Sequence, residues 1–204
     1  MCSSDLPLVL VHGGGAQITA LMEQRGIPAR FVDGRRFTDL PTLACARVAL
    51  ADVSDALVTA LRELGREAQP FRAGELLCCA RRRDLGLVGE PAEVRVDPIR
   101  DAIAADRIPL IAPIGRDGDS PRLLNVNADD VASAVAVALA ADELAFLSDV
   151  PGVLDDAGEV LSAISATSPP AVSGGMLPKL EACSAAIAGG VPRVRIGAGT
   201  EVRP

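Results

Sequence analysis

The chain has 204 residues, of which 49 % are apolar and 23 % charged, with a formal net charge of −7. That is enough apolar material for one α/β domain or two closely fused halves. Only 2 % of residues are aromatic, with no Trp or Tyr; this argues against a base-stacking surface, and the acidic balance argues against nucleic acid as a main partner.

Taken in chain order, short β-rich runs alternate with helical stretches, the pattern of a parallel sheet flanked by helices. Residues 8–11 read as a strand and 16–25 as a helix closed by Gly26. Residues 30–32 form a short extended piece. Residues 42–64 carry apolar side chains at helical spacing, with Gly65 as the stop. Residues 76–80 and 92–96 flank DLGLVGEP, which reads as a hairpin or flap. Residues 110–114 are a buried strand and 129–140 an Ala/Val-rich helix. A strand at 145–147 precedes the turn SDVPGVL. After Ser173-Gly174-Gly175, residues 176–188 form a helix and 193–196 a last strand. The longest apolar stretch, residues 131–141, is broken by Ser133 and ended by Asp142, too short to span a bilayer.

The five cysteines, Cys2, Cys45, Cys78, Cys79 and Cys183, form no CxxC pair, and His12 is the single histidine. A zinc site cannot be completed from this set. Free thiols in a reducing cytoplasm are the expectation, and no basic-plus-apolar signal segment is seen at the start.

Three motifs carry chemistry. The first is Val11-His12-Gly13-Gly14-Gly15, where tripled glycine lets backbone N–H groups crowd against an anion. An esterase oxyanion hole would need a GxSxG elbow and a second histidine, and neither exists. A Walker loop needs Gly-Lys-Ser/Thr, and a dinucleotide fingerprint needs glycine where Ile18 stands. A ligand-free strand-to-helix turn and a phosphate loop of another fold both remain open.

The second motif is Leu124-Asn125-Val126-Asn127-Ala128-Asp129-Asp130. Asn127 can cap the following helix, and both acids suit its positive end. The third is SGGMLPKLEAC. Of 20 basic residues only Lys179 is lysine, and it falls in the first turn of a helix, where a cation is mildly unfavourable. A bound phosphate would reverse that sign, because glycine amides, helix dipole and ammonium would share one anion.

With VHGGGAQI, GRRFTD, DLGLVGE, LNVNADD, LSDVPGVL and SGGMLPKLEAC in this order, the chain resembles the amino-acid kinase family, from about residue 8 to about residue 196. Within that family it is most similar to the enzymes that phosphorylate the side-chain carboxylate of N-acetyl-L-glutamate. The resemblance implies an α/β/α sandwich with a mainly parallel open sheet. It places an amino-acid half at about residues 1–142 and a nucleotide half at 143–204.

The same resemblance implies roles for individual residues. Gly13, Gly14 and Gly15 would cradle the transferring phosphoryl and the substrate carboxylate. Arg36 would hold the α-carboxylate as a planar fork, with Asn125 and Asn127 completing the pocket. Asp129 would orient catalytic lysine rather than act as a base. Ser148, Asp149 and Gly152 would line the nucleotide site, Gly174, Gly175 and Lys179 would embrace the ATP phosphates, and residues 85–90 would be a flap over the amino acid. Mg²⁺ would be carried by the nucleotide, without a protein metal ligand, and a homodimer is implied.

The family pattern also includes a K-x-G-G strand ahead of the HGGG strand, which is not found here. A helix and closing strand follow VRI in that pattern, whereas GAGTEVRP reads as though the elements between the last two strands were cut out. Two alternatives stay open. One is a sister kinase for carrier-protein-linked aminoadipate or glutamate, favoured by Arg81-Arg82-Arg83 beside the flap. The other is a non-catalytic ligand-binding homologue.

Overall fold

A computed structural model of the chain describes residues 7–72, 74–147, 150–155, 157–170 and 176–204. Its backbone separates into two compact units, one of residues 1–30 and 36–128, the other of residues 31–35 and 129–204. The division falls at the start of the Ala/Val-rich helix.

The first unit opens with β1 (Leu10–Val11), which runs through the glycine turn into α1 (Gly15–Gln24). Gly26, at φ +66°, ends this segment in the left-handed conformation that glycine tolerates best. A short hairpin follows, β2 (Phe31–Val32) and β3 (Arg35–Arg36), and straddles the division between the units. Helix α2 (Leu40–Glu63) starts at Asp39, whose Oδ1 accepts from the Thr42 N–H at 2.9 Å. It ends before Gly65, at φ +73°.

Strand β4 (Ala68–Phe71) and β7 (Ile108–Ile111) complete a three-stranded parallel sheet in the order β1-β7-β4. Helix α3 (Asp97–Ala104) precedes β7. The core of this unit centres on Met22, Leu50, Leu110, Ile111 and Leu124, all at 2 % exposure or less.

The remaining strands of the first unit were not foreseen as one structure. Strands β5 (Leu77–Arg82), β6 (Val88–Val94), β8 (Ile114–Asp117) and β9 (Leu123–Val126) close into a small barrel, ordered β5-β6-β9-β8. The single strand expected at 110–114 is two strands, β7 and β8, separated by Ala112 and Pro113.

Of the segment expected as a flap, residues 85–90, the last three belong to β6 of this barrel and Leu85 ends a short 3-10 turn, Arg83–Leu85. Leu85, Leu87 and Val88 are buried at 2 %, 6 % and 4 % exposure, and the Thr38 N–H donates to the Leu85 carbonyl at 3.0 Å.

The second unit begins with α4 (Ala128–Leu139, from Asp129 onward) and β10 (Leu144–Phe146). It continues through β11 (Ala163–Ser165), α5 (Met176–Ala188), β12 (Val194–Ile196) and β13 (Thr200–Arg203). The sheet order is β10-β12-β13-β11. β10 and β12 run parallel, as do β11 and β13, while β12 and β13 are antiparallel.

GTEVR, unassigned by residue pattern, is thus a closing strand joined to β12 by a tight turn. Gly197 there has φ +59°, and a Cβ on it would lie 2.3 Å from the Pro151 carbonyl oxygen, so only glycine fits. Phe146, Val153, Leu180, Cys183 and Ile196 are among the residues forming the core of this unit.

Candidate active site

In the first unit the glycine turn is held from behind. His12 is 8 % exposed, its Nδ1 lies 3.0 Å from the Gly13 carbonyl oxygen and its Nε2 2.8 Å from Ser54 Oγ. Gly14 caps α1 with extended φ of −176° and no side-chain hydrogen bond. A Cβ on Gly13 would meet Ala128 Cβ at 3.7 Å, and one on Gly14 would meet Leu50 Cδ2 at 2.9 Å. In front of Gly15 there is open space among the described residues. Packing therefore explains Gly14 but not Gly15. The open helix N-terminus offers N–H groups and a partial positive charge to an anion.

Burial pulls the His12 pKa below its ordinary value, outweighing the hydrogen bond to Gly13, with a smaller push from the Arg72 charge. Arg72 is itself paired with Asp55. The unfolded chain, with histidine near its ordinary pKa of about 6.5, therefore binds a proton first as pH falls. Stability should be pH-independent of this group above about pH 6.5 and decline below it until the folded ring also protonates. Because His12 is the only histidine, the expected fall in denaturation midpoint between about pH 7 and about pH 5.5 should flatten in His12→Asn.

Arg36 is 9 % exposed. One of its terminal nitrogens donates to the Gly15 carbonyl at 3.0 Å and to Thr19 Oγ1 at 2.8 Å, and the other approaches Met22 Sδ at 3.3 Å. Burial also lowers the pKa of this guanidinium, which nonetheless stays a cation.

Asn125 connects to the same segment. Its Nδ2 donates to Thr38 Oγ1 at 3.2 Å, and that hydroxyl donates to the Arg36 carbonyl at 3.0 Å. Thr38 is fully buried, at 0 % exposure. Sequence reasoning passed over it, although its place in GRRFTD between Arg36 and the capping Asp39 was a signal. Asn127 is half-buried immediately before α4.

In the second unit the two carboxylates in the first turn of α4 are each met by a cation. Lys179 Nζ donates to Asp129 Oδ1 at 2.7 Å, with side-chain exposures of 14 % and 22 %. The ammonium also lies 5.0 Å from the centre of the Phe146 ring. Arg35 binds Asp130 and, at 2.9 Å, Glu181. Hydrogen bonds and charge from Asp130 and Glu181 carry the Arg35 pKa upward against an opposing and individually larger burial effect.

The anion that meets Lys179 here is thus a carboxylate, which compensates its unfavourable position in the first turn of α5. Cys183, on the same helix, has its thiol pushed up to about 12 by burial and by the Asp129 charge, despite the opposing Lys179. Cys79 is likewise pushed up to about 12, mainly by burial. Neither is a nucleophile near neutral pH.

Gly152 lies where a Cβ would be 2.4 Å from Thr200 Oγ1. That hydroxyl accepts from the Val153 N–H at 2.9 Å and donates to the Leu161 carbonyl at 2.7 Å. Ser148, Asp149, Gly174 and Gly175 lie outside the described residues. No helix of the structure is long and apolar enough to cross a membrane among the residues described.

The chain is similar to known proteins over most of its length. Acetylglutamate kinase of Koribacter versatilis (strain Ellin345) is 40 % identical over 201 residues, covering 93 % of this chain and 77 % of the relative. Acetylglutamate kinase of Roseobacter denitrificans (strain ATCC 33942 / OCh 114) is 39 % identical over 193 residues, covering 90 % of this chain and 67 % of the relative. The crystal structure of smu.665 from Streptococcus mutans UA159 superposes with a TM-score of 0.90 at 32 % identity, covering 96 % of this chain and 85 % of that one. The amino acid kinase family profile matches residues 2–198, a span that takes in both the glycine turn and the Lys179–Asp129 pair, and the chain belongs to that family.

Proposed function

We propose that the chain catalyses ATP-dependent phosphorylation of the side-chain carboxylate of N-acetyl-L-glutamate in arginine biosynthesis. The observation that carries this reading is the Lys179–Asp129 pair: the only lysine in a chain of 20 basic residues is fixed by a carboxylate in the first turn of α4. It is supported by relatives near 40 % identity that carry the same activity in their names.

In the reaction, a carboxylate oxygen of the substrate attacks the γ-phosphorus of ATP. The new O–P bond gives an acyl phosphate, while the bond to the β,γ-bridging oxygen breaks and its electron pair leaves with ADP. The carboxylate is already ionised near neutral pH, so no general base is required. Catalysis is positioning and charge neutralisation.

The first unit would serve the amino acid. The N–H groups at Gly13, Gly14 and Gly15 would receive the reacting carboxylate and the transferring phosphoryl. The Arg36 fork would receive the α-carboxylate, with Asn125 and Asn127 fixing the remaining polar groups.

The second unit would serve the nucleotide. Ser148, Asp149 and Gly152 would belong to its base and ribose side, and Gly174, Gly175 and Lys179 to its phosphates. Asp129 would aim the ammonium. Mg²⁺, carried by the nucleotide, would supply further charge neutralisation. Asp129 and Asp130 are engaged by Lys179 and Arg35, which fits a metal held by the nucleotide rather than by this turn.

Within the triple arginine, Arg82 is the one whose charge is met by carboxylates among the described residues. Arg82 is paired with Glu90 at 2.6 Å and with Asp84 at 3.0 Å, and Arg81 Nε donates to the Gly86 carbonyl at 2.8 Å. The free amino acid is favoured over a carrier-linked substrate by the relatives near 40 % identity, which are acetylglutamate kinases.

The test is formation of hydroxylamine-trapped acyl phosphate from ATP and N-acetyl-L-glutamate. Turnover is expected with that substrate. ATP binding without any trapped product would overturn the proposal.

The assembly we propose is a homodimer in the cytoplasm. Leu40, Ala44 and Val48 lie four residues apart on one stripe of α2 and are exposed, Leu40 to 73 % and Val48 to 43 %. A self-complementary contact would cover such a stripe. Light scattering after gel filtration should give twice the chain mass, and Val48→Glu should shift it toward the monomer. A monomeric parent chain would contradict this assembly.

A further inference from the structure

The Gly13–Gly14 peptide has glycine on both sides, so nothing steric in its own residues fixes which way it faces. Glycine admits close approach of a ligand to the backbone and gives up orientation in exchange. A peptide turned the wrong way would present its carbonyl, rather than its N–H, to an anion. Some other group must therefore hold it.

His12 is placed to do this. The Gly13 carbonyl, 3.0 Å from Nδ1, can only accept, so Nδ1 carries the proton. A neutral imidazole has one N–H, which leaves Nε2 as an acceptor for the Ser54 hydroxyl at 2.8 Å. Ser54 has 0 % exposure and His12 8 %, so water competes poorly for either bond. The peptide is trans; with its carbonyl on the imidazole, its N–H points to the opposite side. Among the described residues nothing accepts from that Gly14 N–H.

We propose that His12, fixed as its Nδ1–H tautomer by Ser54, is a positioning residue that holds the Gly13–Gly14 peptide with the Gly14 N–H turned toward the reacting anion. The direction of that anion rests on the function proposed above; the tautomer and the peptide orientation do not. Burial of the ring adds that the neutral form persists through the physiological range.

Two measurements test it. The single imidazole gives one set of long-range proton–nitrogen NMR correlations in the intact ¹⁵N-labelled chain, and these should show the neutral Nδ1–H form. In Ser54→Ala the signal should move toward the Nε2–H form. An Nε2–H ring in the parent chain would overturn the inference.

Kinetics supply the second arm. The amide of asparagine can reproduce an Nδ1 donor, whereas that of glutamine reaches toward the Nε2 position. His12→Gln should lower kcat for acyl-phosphate formation by at least about tenfold with little change in either KM, and His12→Asn should recover most of that loss. Equal losses in the two variants, at matched thermal stability, would also overturn the inference. An inactive parent chain with an Nδ1–H ring would overturn the kinase reading while leaving the orientation of the peptide established.

Discussion

Replacing Lys179 by alanine should lower kcat for acyl-phosphate formation by about a hundredfold or more, the usual effect of deleting one group that stabilises developing charge. The KM for N-acetyl-L-glutamate should change far less, because the proposed contacts to that substrate, Arg36 and Asn125, are held together through Thr38 and not through the lysine. Lys179→Arg should fail to restore the rate. A guanidinium is longer and planar, and the site holds a compact ammonium 2.7 Å from Asp129 Oδ1 and 5.0 Å from the Phe146 ring centre.

Asp129→Asn should reproduce part of the Lys179→Ala loss. It removes the charge that aims the ammonium and leaves the cation at the unfavourable end of a helix. Steady-state assays with the trapped product, alongside circular dichroism to confirm folding, check both. A Lys179→Ala chain with near-parental kcat would remove the residue from the proposed chemistry.

Much of the second unit was legible because its signals are local. Residues 176–188 were read as a helix and are one, with the same bounds. The helix read at 129–140 begins one residue earlier and ends one residue sooner. Its two first-turn acids follow the dipole rule, but the rule does not say what each acid meets. That Asp129 meets Lys179 and Asp130 meets Arg35 depends on residues 50 and 95 positions away, beyond the reach of any periodicity.

The barrel was illegible for a different reason. Gly89 and Pro91 within β6 imitate turn chemistry. Yet Gly89 is there because a Cβ would come within 2.8 Å of Cys79 Cβ, and Pro91 faces Cys79 at the register shift between Cys78 and Cys79. Glycine at a close approach and proline at a bulge are permitted inside strands for those reasons, and neither reason shows in one strand read alone. The same holds for Thr38, whose hydroxyl links two motifs 87 residues apart.

Gly86→Ala should be the most damaging of the single-methyl additions in the first unit's motif network. Gly86 has φ +84°, and a Cβ there would stand 2.3 Å from the Thr38 carbonyl oxygen and 3.2 Å from its carbon. Neither contact is the far end of a flexible side chain, so the backbone must move. Moving it breaks the bond from the Leu87 N–H to the Thr38 carbonyl, at 2.6 Å, and the one from the Thr38 N–H to the Leu85 carbonyl, at 3.0 Å.

A cost of about 3 kcal/mol or more follows from strain plus two disturbed buried bonds. For a chain of this size that lowers Tm by about 6 to 12 °C. Gly26 provides the comparison, with φ +66° and, among the described residues, nothing within 4 Å of a Cβ. Gly26→Ala should cost only the left-handed backbone term of about 1 kcal/mol.

The site should register the difference as well. Thr38 carries the hydroxyl that joins the Arg36 carbonyl to Asn125. Gly86→Ala should therefore raise the KM for the amino acid well below its unfolding temperature, whereas Gly26→Ala should leave it close to the parental value. Equal Tm losses in the two variants would show that the Thr38 contact is not what makes glycine necessary at this turn.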